Sequence, residues 1–278
     1  MRKTFLAILL LTALTLQAQI TIMVDGPTKN VEKDIDRQRY VIGYNMTFVA
    51  DSLKPEPQNE QMQLEIGDRC TKFYSNERVQ KDSIMRARIQ QGNYDFADLK
   101  GGNIRWTFFK GYPAEGKSAW LESVGINDFI AIDPVTTPEW QLVGDSVTRI
   151  LDYECRQATA RFKGRTWTVW YTEDIPIAEG PWLLGGLPGL VMRARDTRGH
   201  YAFEINGLKQ VKDERPVTFT EAKREEISFD TFKKEMRRFS NDAIAYMKND
   251  PQVTVTITDK DGNPMEKMTS PYNPLDLE

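Results

Sequence analysis

Two strand–turn–strand units constrain this chain more than any other feature of its sequence. In YECRQATARFKGRTWTVWYT, residues 153–172, two runs of β-formers flank a Lys163-Gly164 turn. In LVMRARDTRGHYAFEINGLK, residues 190–209, an Asp-Thr-Arg-Gly turn does the same. Turns this tight leave no room for a crossover helix, so consecutive strands must run antiparallel. Alternation puts Trp167, Val169 and Tyr171 on one face, and Thr166, Thr168 and Trp170 on the other. RYVIGYNMTFVAD, QMQLEIGDRCTKFYS, NIRWTFFK, KSAWLESV and DFIAID read as further strands. Residues 20–36 read as an irregular lead-in, and SLKPEPQNE as a loop, because its two prolines exclude a sheet interior. Residues 76–90 are charged and weakly helical. A single helix over about 228–248 is predicted, with Ser228 as its cap. Its stripe of Phe229, Phe232, Met236, Phe239, Ala243 and Met247 must pack on the sheet. A hairpin turning near Asp261-Gly262 follows. The fold expected is mainly β with minor α: a curved antiparallel sheet or half-barrel meander packed against a C-terminal helix.

The first residues bear on the compartment. Arg2 and Lys3 precede an apolar run from Phe5 to about Leu16, which ends at Gln17-Ala18-Gln19. That is the layout of a secretory signal peptide, residues 1–18, ahead of a single domain over 19–278. The protein is expected to be exported: periplasmic, outer-membrane associated or extracellular. No later segment is apolar enough to span a bilayer. The net charge of −3, with no basic block, argues against nucleic acid. Cys70 and Cys155 either pair in an oxidising compartment or stay as two buried thiols; both readings stand.

The inventory of reactive residues is thin. One histidine, His200, and two cysteines cannot fill a zinc site, and no cofactor motif occurs. His200 follows a hairpin turn and reads as a solvated turn residue. There is no Gly-x-Ser-x-Gly elbow. A hydrolase using Glu173 or Asp174 beside Arg193 is the weakest of the readings. No catalytic residue is assigned, and the residues point away from an enzyme.

EGPWLLGGLPGLV, residues 179–191, is rich in glycine and proline yet apolar. Leaving its leucines and tryptophan in water would cost about 1.5–3 kcal/mol each, so the segment must fold down onto apolar surface. Leu187-Pro188-Gly189-Leu190 fits a type II turn, with Gly189 at positive φ. The candidate lid residues are Trp182, Leu187, Pro188 and Gly189, with Trp170 beneath. A packed crossover closing one end of the sheet is the plainer reading, a cover over a ligand cavity the sharper one.

The same stretch, YTEDIPIAEGPWLLGGLPGLV, resembles the signature of the GLPGLI family of secreted bacterial proteins, with Val191 in place of the final isoleucine. The preceding hairpin, KFYSNERVQKDSIM and the terminal YNPLDLE are also similar to family segments. The resemblance implies an envelope protein of unknown activity, and more loosely the half-barrel of periplasmic lipoprotein carriers. Together these readings give a non-enzymatic binding protein for a lipid-like, apolar or peptide ligand. The alternative is an accessory or structural module with an outer-membrane protein partner in a transport or secretion complex.

Overall fold

Both strand–turn–strand units form hairpins. β10 (Tyr153–Phe162) and β11 (Arg165–Thr172) pair antiparallel, and Lys163 and Gly164 take φ of 52° and 70°. Two consecutive left-handed residues are what a two-residue turn needs to match the strand twist. β12 (Leu190–Asp196) and β13 (Tyr201–Gln210) pair around Gly199, at φ 69°. There the Asp196 carboxylate accepts the backbone N–H groups of His200 and Tyr201.

The computed structural model describes residues 5–9, 20–24, 31–249, 257–259 and 263–278. Strands β1 (Phe5–Leu9) and β2 (Ile20–Val24) pair antiparallel outside the main sheet. The main sheet adds β3 (Val31–Asp51), β4 (Lys54–Gly67), β5 (Thr71–Ser75), β6 (Thr107–Lys110), β7 (Lys117–Val124), β8 (Asn127–Pro134), β9 (Gln141–Ile150), β14 (Pro216–Glu221) and β15 (Glu225–Ile227). Its order is β15-β8-β7-β6-β5-β4-β3-β13-β12-β11-β10-β9, with β14 also on β3. Among the described residues only β15 with β8 is a parallel pair. The sheet is open and unclosed, mainly β as expected, with a helix near its C-terminal end.

Three expectations need correcting. Residues 31–36 are no irregular lead-in: they open the 21-residue β3 and pair with β14. Pro55 and Pro57 lie inside β4, with Pro57 opposite Val49. They are tolerated because β5 pairs only Met62–Ile66, so over residues 54–61 β4 has β3 alone as neighbour and one side needs no donors. The C-terminal helix is two: α2 (Phe229–Asn241) and α3 (Ala243–Lys248). Asp242 breaks it at φ −160°, because its carboxylate caps the Ala245 N–H. Of the predicted C-terminal hairpin, the antiparallel bridge Thr258–Pro264 is seen; its turn at 261–262 lies outside the described residues.

Burial falls on both faces of the sheet. One face carries the main core, with Tyr44, Phe73, Trp167 and Phe203 at its centre. On the other face of β6 and β7, Phe109, Ala119 and Leu121 are covered by Ile35 of β3 and Phe219 of β14. α1 (Asn76–Gln90), capped by Ser75, buries no residue. Among the described residues no helix is long and apolar enough to cross a membrane.

Cys70 and Cys155 are two separate, buried free thiols. Burial pushes their pKa values up, to about 12 and about 11. Thiolates are therefore scarce at neutral pH. Neither should react with a thiol reagent in the native protein, and both should react without reductant once it is unfolded. An intact cystine in the unfolded chain would refute this.

Candidate functional site

A cleft of about 200 Å³ lies between β7, α2 and the C-terminal segment. One wall is built by the loop before β6. Gly101 and Gly102 turn it at φ 70° and 63°; the Gly102 N–H is held by Glu77 and the Gly101 carbonyl by Lys81. The fully buried Glu60 accepts the Asn103 N–H at 3.1 Å and the Ser75 hydroxyl. These contacts deliver Arg105 and Trp106 to the cleft. Trp106 meets Trp120 of β7 with ring centroids 4.6 Å apart. Phe229 and Phe232 of α2 close the opposite side, 5.7 and 6.5 Å from Trp120. The terminal residues Tyr272–Asp276 form the remaining wall.

Glu122 is the reactive group here. It lies two residues beyond Trp120 on the same strand face, and Trp120 Nε1 donates to its carboxylate at 2.8 Å. Loss of water around the carboxyl pushes its pKa up to about 7, against the opposing pull of that hydrogen bond and of the Arg105 charge. The unfolded chain ionises this group near 4.5. Stability from this site is therefore intact below that value and is lost as pH rises toward 7, by roughly 3 kcal/mol in all. Glu122→Gln should raise the melting temperature at pH 8 and leave it nearly unchanged at pH 4. Equal shifts at both pH values would show that Glu122 is ordinarily solvated.

A larger groove of about 390 Å³ lies between the β3–β4 surface and the 209–216 turn. It has no aromatic wall, and its one carboxylate, Glu65, already accepts from Tyr74 and Gln63. Among the described residues no cluster of His, Cys, Asp and Glu is placed to hold a metal.

The predicted lid residues fall elsewhere. Trp182, Leu183, Leu184, Leu187 and Leu190 are all buried, so the segment is folded down. Trp182 rests on Phe162 and Trp167, not on Trp170, and only a void of about 30 Å³ touches it. That is room for about one water. Trp170 is instead flanked by Arg193 and Arg195, 5.6 and 5.1 Å from its ring. Pro188 is exposed. Gly189 is not at positive φ, so the type II turn does not form there; the left-handed residues of this segment are Trp182 at 55° and Gly186 at 89°. Gly189 is required by space, since a Cβ would sit 1.9 Å from the Thr172 carbonyl oxygen. The segment's backbone is satisfied locally, for example by Trp140 Nε1 donating to the Gly185 carbonyl.

His200 is half-buried, with Nδ1 shielded from water and unpartnered, not a solvated turn residue. Glu173 lies 3.7 Å from Arg156, and Arg193 pairs with Glu204, so no Glu173–Arg193 site assembles. Trp106, Trp120 and Glu122 were visible in sequence only as strand residues. The one signal was a carboxylate between Trp120 and Val124 on one strand face.

The family model for the N-glycanase peptide, N-terminal domain, matches residues 131–234. The family match reaches the α2 side of this cleft and leaves Arg105, Trp106, Trp120, Glu122 and residues 272–276 outside it. Two solved structures titled as PNGF-II, in P21 and C2 space groups, align with TM-scores of 0.48 and 0.47 at 18% and 17% identity. Each alignment covers 73% of this chain and 34% of the other, so the chain spans about a third of the length of those proteins. No curated protein matches. The family match overturns the resemblance to GLPGLI proteins, because the model that fits these residues is that of an N-glycanase domain. It also overturns what was built on that resemblance, the non-enzymatic binder of an apolar or peptide ligand.

Proposed function

We propose that this chain is an exported, glycanase-related protein that engages the glycan of a glycoprotein in the cleft between β7 and α2. The observation that carries this reading is the Trp106–Trp120 pair beside Glu122. A sugar ring offers a face of C–H groups and a rim of hydroxyls. An aromatic wall takes the first and a carboxyl orients the second. The family match supports the glycanase direction and reaches α2, which supplies Phe229 and Phe232. The apolar leader over residues 5–16 supports export.

The test is titration of the full chain with an N-glycosylated peptide and its deglycosylated counterpart. Tight binding of the glycosylated form alone, weakened at least tenfold by Trp120→Ala without loss of the fold, is expected. Equal affinity for both peptides, or none for either, would remove the reading. A second reading, that the cleft itself cleaves the glycan, is favoured by Glu122, because a carboxyl titrating near neutrality suits a general acid. Glycan release that vanishes in Glu122→Gln while binding persists would establish it.

A further inference from the structure

We infer that the cleft selects a sugar carrying an acidic group, and that the guanidinium of Arg105 is what reads it. This rests on the glycan reading above and sharpens it. Arg105 lines the cleft and is exposed at its mouth. Among the described residues its guanidinium has no hydrogen bond and no ion pair, whereas the nearby Arg78 is matched to Asp82 at 2.9 Å. Its five donors are therefore left unused by the protein, beside the space of the cleft.

The charges around that space favour an oxyanion. Lys233 lines the same cleft but is spent on Asp230, 3.1 Å away, and on the Glu278 carbonyl; Arg237 lies just outside, 5.9 Å from Tyr272. The cleft's other carboxylate, Asp276, is already paired with Lys163 at 3.1 Å. Glu122 stays largely uncharged in mildly acidic solution, since burial raises its pKa. With Lys233 and Asp276 both paired, Arg105 is the uncompensated charge of the cleft lining among the described residues. A planar guanidinium forks onto a carboxylate or a sulfate ester with two parallel hydrogen bonds. With the ring of the sugar against Trp106 and Trp120, either group would lie within the same short cleft.

The experiment compares three ligands on the full chain at pH 6: a neutral oligosaccharide, the same oligosaccharide ending in a carboxylated sugar, and its sulfated analogue. At least one acidic ligand should bind about tenfold or more tightly than the neutral parent, and which of them gains names the source of the oxyanion. Arg105→Gln should bring the acidic-to-neutral ratio close to one. Arg105→Lys should recover only part of it, since an ammonium cannot fork. Arg195→Gln, on the far side beside Trp170, should keep the ratio and control for net charge. Equal affinity for all three ligands overturns this inference and leaves the glycan reading standing. Failure of all three to bind overturns both, and a ratio that survives Arg105→Gln overturns the role of Arg105.

Discussion

Replacing Arg165 by methionine should lower the stability of the protein by about 3–5 kcal/mol, the cost of stranding a buried partner charge. Arg165 and Asp196 have fully buried side chains, 2.6 Å apart. The guanidinium spends its remaining donors on the C-terminal segment: Nε on the Leu275 carbonyl at 3.0 Å, and one terminal nitrogen on Asn273 Oδ1 at 2.9 Å and on the Pro274 carbonyl. Its plane lies 4.7 Å from the Tyr201 ring, and the Tyr201 hydroxyl donates to the Asn273 carbonyl. Methionine fills the volume and supplies no donor. Asp196 would keep only the His200 and Tyr201 N–H groups, and three acceptors of the tail would lose their partner. The cleft wall formed by residues 272–276 would loosen with them. Urea unfolding measures the loss; a change under about 1 kcal/mol would mean that the tail is held by its apolar contacts instead.

Gly189→Ala should cost more than about 3 kcal/mol, at or beyond the usual range for an overpacked interior. The new methyl would meet the Thr172 oxygen at 1.9 Å and its carbonyl carbon at 2.6 Å, and both belong to the backbone. No rotamer change relieves such a clash; the crossover has to separate from the end of β11. Gly186→Ala is the matched control. It sits at φ 89° with nothing nearer than 3.8 Å, so it should lose only the conformational cost of about 1–2 kcal/mol. Comparable losses in the two variants would show that the crossover yields at little cost.

Local chemistry made much of the sheet legible. Lys163-Gly164 and Asp196–Gly199 specify their turns within a few residues, and alternation in β11 follows from them. The burial of Trp182, Leu183, Leu184, Leu187 and Leu190 also followed from composition, because five large apolar side chains have no other destination. What escaped depends on neighbours. Pro55 and Pro57 are compatible with a strand only because β5 is too short to reach them. Residues 31–36 pair with a strand nearly two hundred positions later. Asp242 divides one apolar stripe into two helices through a single side-chain cap. The cleft was the least visible part. The Arg105-Trp106 pair and Glu122 come from separate segments, and tertiary packing alone brings them beside Phe229 and Tyr272.

The Arg165 contact with Leu275 bridges 110 positions. Closing so distant a contact is entropically late, because most of the intervening chain must already be ordered. The sheet would then assemble first, as an unfastened intermediate, and the final residues would act as a latch that snaps shut last.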